Sequence, residues 1–301
     1  MTTPRARDVE IGPDRSGQRL DNFLMRELGN VPRALVYRLI RTGQVRINGG
    51  RAKPMKKLAT GDRVRVPPVR DQAPAAKLPT ARIEQVRAAI LHRQKEFLVL
   101  DKPSGLASQP GSGLAWGLND LVAAIDEQAV PVHRLDRETS GVMVFALGRR
   151  AARELQQAFR RHTVDKRYLA LLTGHLPEDR VVIDAPLKKI RDAGGQHRVV
   201  VDPDGQSART TFKVLERFRD HDFVEAEIES GRTHQIRVHA AEAGAPVAGD
   251  DRYDPGGDLP GLERLFLHAA YLRLPWPDDQ VFSAPLPDEL TAVLDALRTR
   301  R

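Results

Sequence analysis

The sequence predicts an α+β protein of two units, a small basic unit followed by a larger unit rich in strands. Three observations support this fold class. The excess positive charge is confined to the first seventy residues, four prolines fall between residues 67 and 79, and strand patterns with few intervening helices follow. The regular alternation of strands and helices that is typical of a doubly wound parallel sheet is missing from this sequence.

We divide the 301 residues into four segments. Residues 1–14 are expected to form a flexible N-terminal tail, 15–66 a small α+β domain, 67–81 a proline-rich linker and 82–301 the larger domain. A chain of this length can bury a full hydrophobic core. Because proline-rich linkers are semi-rigid spacers, the small domain is expected to be held at some distance from the larger one.

The small domain is predicted to contain two amphipathic helices followed by short strands. The first helix begins near Leu20, and the second runs from Pro32, which suits a first helical turn, to Gly43, a typical C-terminal residue. An Asn48-Gly49 turn separates the strands. The apolar positions that define these elements are Leu20, Phe23, Leu24, Leu28, Leu35, Val36, Leu39, Ile40, Val45, Ile47, Val64 and Val66.

The larger domain shows several strand patterns and one clear helix. The clearest strand runs from Phe223 to Glu229, where Val224, Ala226 and Ile228 alternate with glutamates, as in a half-buried antiparallel strand. A helix is predicted from Arg149 to Arg161. Further strand candidates are Phe97–Leu100, Pro131–Val132, Val142–Ala146, Tyr168–Leu172 and Thr210–Val214.

The charge distribution indicates a polyanionic partner. The chain has 48 Lys and Arg against 40 Asp and Glu, a net charge of +8. Residues 14–70 hold 14 basic and 4 acidic side chains, whereas residues 71–301 hold 32 and 34. Basic side chains that neutralise phosphates release counterions and gain affinity, so a nucleic acid would explain the asymmetry. A basic surface without any partner is the alternative.

Several functional classes are excluded by composition or by missing motifs. Without cysteine, the chain has no disulfide, no thiolate chemistry and no cysteine-based zinc site. The sequence has no apolar run long enough to span a membrane and no signal-peptide core in its polar N-terminus, so we expect a cytoplasmic protein. It has no dinucleotide-binding, P-loop or His-Glu-x-x-His motif, so neither a cofactor nor a metal is expected. Nothing demands a dimer, and a monomer is expected.

The most informative segment is His133-Arg134-Leu135-Asp136-Arg137-Glu138-Thr139-Ser140-Gly141. It lies between two apolar runs and places the Asp136 carboxylate between two arginines. In extended backbone, Arg134 and Asp136 point to the same side. By composition alone the segment is more typical of a polar β-turn with a solvated salt bridge. A second segment changes that interpretation: Glu229-Ser230-Gly231-Arg232-Thr233-His234-Gln235-Ile236-Arg237-Val238-His239.

Together these segments closely resemble the RluA family of pseudouridine synthases, whose signatures read HRLDxxTSG and GRTHQIRVH. Other family marks occur in the expected order along the chain: Lys102-Pro103-Ser104-Gly105, Lys166 to Leu171, and Gly249 to Tyr253. The resemblance therefore covers nearly the whole chain. It implies the pseudouridine synthase fold, a mixed and largely antiparallel sheet with the active-site cleft across one face.

The small basic domain resembles an S4-type RNA-binding domain, through its helix pair and its Val-Arg-Ile-Asn hairpin. This resemblance implies that a basic helix face tracks RNA phosphates and shape rather than reading bases. The arginines expected on that surface are Arg33, Arg38, Arg41 and Arg46.

The family resemblance implies that Asp136 is the essential carboxylate that isomerises uridine in RNA to pseudouridine. The reaction breaks the bond between ribose C1′ and uracil N1 and rejoins the base through C5, without oxidation or group transfer. Whether Asp136 attacks the ribose, attacks the base or removes a ribose proton is left open. Arg237 is implied as its charged partner, although without the motifs a buried Arg–Asp pair is more often structural.

The target nucleotide must leave the RNA stack to reach this carboxylate. The resemblance implies that Arg134 fills the vacated stack with its planar guanidinium, and that Tyr168 stacks on the flipped uracil. Without its Lys-Arg-Tyr context, Tyr168 on an apolar strand would be more typical of the core. The other substrate-binding positions implied by the motifs are His133, Thr139 and Ile236.

Within the family, Val31 to Arg41 and Arg264 to Ala270 are most similar to the RluC branch, which acts on 23S ribosomal RNA of the large subunit. One alternative is another specificity in the family, for a different ribosomal site or a transfer RNA. An alternative of another class is a non-catalytic RNA-binding or ribosome-assembly protein. The intact Asp136 argues against it, because a pure RNA-binding protein needs no buried carboxylate facing phosphates.

Overall fold

A computed structural model describes residues 6–29, 31, 33–68, 78–109, 116–191, 197–254 and 259–299, without the side chains of Arg33 and Ala34. The chain separates into two compact units, Met1–Lys77 and Leu78–Arg301. Residues 69–77, which make up most of the predicted linker, lie outside the described residues.

The N-terminal unit is a three-stranded antiparallel sheet with two helices. Its elements are β1 (Arg7–Glu10), a short 3-10 helix (Pro13–Arg15), α1 (Leu20–Glu27), α2 (Arg33–Arg41), β2 (Arg46–Ile47) and β3 (Arg63–Val66). The strand order is β1-β3-β2. The predicted apolar positions of both helices pack into one core with β3, among them Phe23, Leu24, Val36 and Ile40. The helix pair is therefore where the apolar spacing places it, whereas β2 and β3, which pair with each other, are separated by residues 48–62.

The N-terminus differs from the predicted flexible tail over residues 1–14. Arg7–Glu10 pairs antiparallel with β3, with Val9 opposite Val64, and the following Ile11 is buried in the core. Two alternating apolar residues are too short a pattern to predict a strand from sequence. The strand exists because β3 supplies its hydrogen bonds and the helices cover Ile11. Residues 1–5 lie outside the described part of the chain.

The C-terminal unit alternates short helices with many strands. In order, its elements are α3 (Thr80–Ala88), β4 (Ile90–Arg93), β5 (Phe97–Lys102), α4 (Leu118–Ile125), β6 (Ala129–Pro131), β7 (Ser140–Leu147), α5 (Arg149–Arg160), β8 (Asp165–Thr173), β9 (Arg180–Asp184), β10 (Leu187–Arg191), β11 (His197–Val201), β12 (Arg209–Arg217), β13 (His221–Ile228), α6 (Gln235–Glu242), β14 (Leu267–Leu274), β15 (Gln280–Ser283) and α7 (Asp288–Thr299).

Ten of these strands form one mixed, largely antiparallel sheet in the order β4-β5-β7-β14-β8-β13-β12-β9, with β6 beside β7 and β15 beside β14. Strands β10 and β11 form a separate hairpin. The only parallel pair among the described strands joins β7 to β14 near the centre of the sheet. The predicted α+β class and the predicted sheet type are thus confirmed.

Strand β7 is an unbroken apolar run because both faces of the sheet are covered there. Met143 and Phe145 pack on the face covered by α3 and α4. Val142, Val144 and Ala146 pack on the opposite face, under α5. Along β13 only one face is fully buried, and Val224, Ala226 and Ile228 fill it as their spacing predicts.

Other predicted elements are present with different ends. The predicted strand at Tyr168 begins earlier, at Asp165, because its pairing with β14 and β13 continues beyond the apolar core. The helix α5 ends at Arg160, one residue before the predicted end, and Val132 lies outside β6. Among the described residues, no helix is both long and apolar enough to cross a bilayer.

Candidate active site

The Asp136 segment is a loop that other side chains hold in place. Residues 132–139 connect β6 to β7 without regular secondary structure, so the extended strand considered for Arg134 and Asp136 is not formed. Three side chains donate hydrogen bonds to backbone carbonyl groups of this loop. Lys102 is the last residue of β5, and Ser104 and Ser108 follow that strand. Ser104 donates to Glu138 at 2.7 Å, Ser108 donates to Leu135 at 2.8 Å, and Lys102 donates to Arg137 at 3.0 Å.

Lys102 connects the turn after β5 to the Asp136 loop. Its fully buried ammonium group also donates to the carbonyls of Pro103 and Leu106, each at 2.9 Å. Burial lowers the pKa of Lys102 to about 7, and the nearby positive charge of Arg264 adds to this effect. The Lys102-Pro103-Ser104-Gly105 turn therefore acts as a scaffold for the Asp136 loop.

Gly141 ends the loop where β7 begins to pair with β14. Its φ of +111° lies in a region that residues with side chains rarely adopt. A Cβ atom at this position would lie 2.2 Å from the carbonyl oxygen of Ala269, closer than real contacts allow. Only glycine lets the backbones approach this closely, so Gly141 determines where the loop joins the sheet.

The Asp136 loop, β8 and α6 line an open cavity. Its thirteen lining residues combine apolar side chains with charged ones. Six of them are positions implied by the sequence motifs: Arg134, Asp136, Thr139, Tyr168, Ile236 and Arg237. Residues from four distant stretches of chain therefore converge on one concave surface, which is the default location of an active site.

The Asp136 carboxylate is the acidic group in this cavity. Its side chain is 20% exposed, and Oδ2 lies 3.8 Å from Nη1 of Arg237 and 3.9 Å from Nε2 of His234. Both separations exceed hydrogen-bond length. No side chain or backbone group within the described ranges donates a hydrogen bond to Asp136. Its carboxylate oxygens are therefore available to a molecule bound in the cavity.

Arg237 is held by a different carboxylate, that of Asp250. Nε and Nη2 each donate to an Asp250 oxygen at 2.6 Å, a bidentate pair in which both side chains are buried. Burial alone would lower the pKa of Arg237, but the Asp250 bonds outweigh it and keep the pKa raised. The implied charged partner of Asp136 therefore makes its close hydrogen bonds to Asp250. Arg237 offers Asp136 its remaining nitrogen and a positive charge at 3.8 Å.

Asp250 belongs to a small network that also orients His234. Its Oδ1 accepts the backbone N–H groups of Arg252 and Tyr253 at 3.0 and 3.1 Å. The Tyr253 hydroxyl lies 3.0 Å from Nδ1 of His234 and within 3.2 Å of both backbone groups of Val199. The carboxylate, the arginine and the imidazole are thus positioned by one connected set of bonds.

Burial determines the protonation of the two rings in the cavity. It raises the pKa of Tyr168 far above its usual value, and the negative charge of Asp136 raises it further, so the phenol stays neutral. Burial lowers the pKa of His234 to about 4, although the charge of Asp136 opposes this shift. The imidazole is therefore uncharged at neutral pH.

Comparisons with known proteins agree with this geometry. Residues 96–242 match the family model described as RNA pseudouridylate synthase, and residues 18–64 match the S4 domain. The chain is 44% identical to the ribosomal large subunit pseudouridine synthase C of Yersinia pestis, over 96% of this chain and 95% of the relative. The chain belongs to the RNA pseudouridylate synthase family. As a member of that family, it is an RNA pseudouridine synthase, an isomerase.

Other relatives and a solved structure extend the likeness. The protein of the same name from Escherichia coli O157:H7 is 41% identical over 99% of each chain. The human RNA pseudouridylate synthase domain containing 4 superposes with a TM-score of 0.60 at 27% identity, over 72% of this chain and 96% of that one. The fold of this synthase is therefore the pseudouridine synthase fold, preceded by a small S4-like domain.

Of the catalytic and substrate-binding positions implied by the motifs, His133 is the one that does not line the cavity. Its Nε2 accepts the backbone N–H of Val144 at 2.9 Å, and its ring stacks on Phe159 at 4.6 Å. Burial lowers the pKa of His133 to about 3, which keeps the ring neutral and able to accept that bond. The expectation that His133 binds substrate is therefore replaced by a structural contact between the loop, β7 and α5.

The arginines expected to bind RNA lie in the S4-like unit. Arg38 and Arg41 are exposed on α2, and Arg46 is exposed on β2, where it bonds the carbonyls of Gly43 and Gly49. The side chain of Arg33 lies outside what the structure describes.

Sequence reasoning missed three residues of the site. Asp250 and Tyr253 stand in a segment that the resemblance marks without giving either a role, and His234 stands in the second motif without an assigned role. The signal was present in part, since Gly249 to Tyr253 is a family mark. The tertiary structure is needed to see that the Arg237 guanidinium makes its bidentate bond to Asp250 and not to Asp136.

Proposed function

We propose that this synthase converts specific uridines of large-subunit 23S ribosomal RNA to pseudouridine, with Asp136 acting on a nucleotide flipped out of the RNA. The observation that carries the proposal is the Asp136 carboxylate, unbonded in a cavity and 3.8 Å from the Arg237 guanidinium. The target class is supported by relatives named as large-subunit synthases along almost their full length. Since this RNA is cytoplasmic and one chain builds the whole cavity, we expect a cytoplasmic monomer.

The surroundings of Asp136 leave its carboxylate available to substrate. Arg237 contributes a positive charge that is itself anchored by Asp250, so it stabilises the carboxylate without neutralising it through a close hydrogen-bonded pair. A carboxylate that two direct donors already satisfied would be a poorer nucleophile or base. The separation of 3.8 Å leaves room for the bonds to tighten when substrate enters.

The cavity walls suit a flat, neutral base. Ile236 and Tyr168 are both buried and pack in the same apolar cluster, which gives the uracil ring two surfaces to lie against. Because the Tyr168 phenol stays protonated, its hydroxyl can donate to a carbonyl group or to a departing nitrogen. Thr139, also buried, lines the same wall.

Arg134 is suited to the entrance of the cavity. It is exposed, yet it lines the cavity together with Asp136, so its guanidinium can occupy the stack that the target nucleotide leaves. Extruding a nucleotide costs a few kcal/mol, and stacking by the arginine offsets part of that cost. The exposed Arg38, Arg41 and Arg46 would add affinity through phosphates, independently of sequence.

The test is release of tritium from 23S ribosomal RNA labelled at uracil C5, with the modified positions mapped by sequencing. We expect the wild-type enzyme to release tritium and Asp136→Asn to release less than about one part in a thousand of it, while still binding the RNA. Glu138→Gln is the matched control, because it removes a carboxylate from the same loop outside the cavity. Activity of Asp136→Asn equal to that of Glu138→Gln would remove Asp136 from its role. Activity on transfer RNA alone would overturn the ribosomal target.

A further inference from the structure

His234 occupies a strained position in the active-site wall. It precedes α6 with φ 55° and ψ 20°, in the left-handed region. A residue with a side chain adopts this conformation at a cost of about 1–2 kcal/mol. Its side chain is only 16% exposed and lines the cavity beside Asp136. Strain of this kind is retained where a fold needs a side chain in one place.

The hydroxyl of Tyr253 is the hydrogen-bond partner of Nδ1 of His234. The backbone N–H of Val199 donates to this hydroxyl at 3.2 Å, and the hydroxyl donates to the Val199 carbonyl at 3.2 Å. A phenol has one proton, and because it points to the Val199 carbonyl in this arrangement, we assign the remaining contact, 3.0 Å to Nδ1 of His234, to an N–H of the imidazole. Nε2, the nitrogen nearer to Asp136, therefore carries a lone pair.

In this tautomer the lone pair of Nε2 lies 3.9 Å from the Asp136 carboxylate. The charged and titratable groups that act on His234 are Asp136, Arg237, Arg252 and Asp250. The net effect of burial and these charges is a neutral ring. An imidazolium formed here would be stabilised by Asp136, because the carboxylate is the nearest charge.

The cavity offers few other bases. Its three arginines, Arg134, Arg232 and Arg237, are permanently charged, and the Tyr168 phenol stays protonated. Among the lining residues that the structure describes, Asp136 and His234 are thus the two side chains that offer a carboxylate or an imidazole as a base. The proposed reaction needs a nucleophile or a base at the glycosidic bond, and it needs a base that removes the proton from C5.

We propose that Nε2 of His234 is the base that removes the C5 proton of the rejoined uracil, while Asp136 serves the breaking and remaking of the glycosidic bond. This inference rests on the proposed function. After C5 bonds to C1′, the C5–H bond breaks and its electron pair forms the C5–C6 double bond. The C6–N1 π pair moves to N1, and the proton taken by Nε2 passes to N1. The isomerisation then leaves no net proton on the enzyme.

The experiment uses the full-length enzyme and whichever RNA the wild type modifies, carrying hydrogen or deuterium at uracil C5. His234→Gly removes the imidazole and suits the left-handed backbone conformation, so it adds no backbone strain. We expect pseudouridine formation to fall by about 10²–10⁴-fold and the deuterium isotope effect to become larger than in wild type. Added imidazole should restore activity, and substituted imidazoles should do so in the order of their pKa values.

His162→Gly is the matched control. His162 is also a left-handed histidine, with φ 57°, but it lies outside the cavity and bonds the carbonyl of Glu229. We expect its activity and isotope effect to equal those of wild type, without any response to imidazole. Tyr253→Phe should lower the rate and enlarge the isotope effect, because the proton on Nδ1 loses its acceptor.

Unchanged activity in His234→Gly would overturn the inference. So would lost activity with neither imidazole rescue nor an enlarged isotope effect, since His234 would then only position other groups. These outcomes are separate from the proposed function, which fails if wild type leaves 23S ribosomal RNA unmodified or if Asp136→Asn stays active.

Discussion

Gly141→Ala tests whether close approach of β7 to β14 holds the Asp136 loop in place. The added Cβ would lie 2.2 Å from the Ala269 carbonyl oxygen and 2.7 Å from two further backbone atoms of that residue. Contacts of this type do not fall below 3.0 Å, so one strand must move by about 0.8 Å. No flexible side chain is present at these contacts to absorb the change.

The expected destabilisation has two parts. Placing alanine at φ +111° costs about 1–2 kcal/mol, and forcing the strands apart costs about 1–3 kcal/mol more. For a unit of this size each kcal/mol lowers Tm by about 2–4 °C, so a total of about 4 kcal/mol predicts a loss of about 8–16 °C. A displacement close to 1 Å at the loop also predicts a fall in kcat of about 100-fold.

Gly244→Ala separates the two parts. Gly244 has φ +77°, but an added Cβ there would meet nothing within 4 Å, so only the backbone term applies. Thermal unfolding of both variants by circular dichroism, and tritium release at a temperature well below either Tm, complete the comparison. If Gly141→Ala unfolds within about 2 °C of Gly244→Ala, the close approach is not what requires glycine at residue 141.

Three further predictions concern buried and exposed charges. Asp250→Asn breaks the buried pair with Arg237, and thermal unfolding should show a loss of about 3–5 kcal/mol; a loss below 1 kcal/mol would contradict a bidentate bond of 2.6 Å. His133 has a folded pKa of about 3, below its unfolded value near 6.5, so the unfolded state binds the proton first as pH falls. Its contribution to stability should therefore be lost between about pH 6.5 and 3 in wild type, and this loss should be missing from the denaturant curves of His133→Gln. Arg38→Gln with Arg41→Gln should lower the slope of log affinity against log salt by about 2 in RNA-binding titrations; an unchanged slope would show that neither arginine contacts phosphate.

The sequence anticipated the parts of the site that depend on local pattern. Asp136 and Arg134 stand in one short segment, and both reach the cavity although their loop is not a strand. Tyr168 lies on a continuous apolar run of strand length, which predicts a buried strand. The helix and strand cores were predicted for the same reason, because periodicity within a single element is readable without knowing its neighbours.

The sequence alone determined the chemical groups: a carboxylate between arginines, the apolar faces of the elements, and a positive charge concentrated near the N-terminus. Tertiary structure decided which group meets which. In the folded chain the Arg237 guanidinium binds Asp250 and His133 binds the backbone of Val144 outside the cavity. His234 lies 3.9 Å from Asp136. Partners such as these are far apart in the chain and share no periodicity, so their pairing depends on how distant strands and loops pack together.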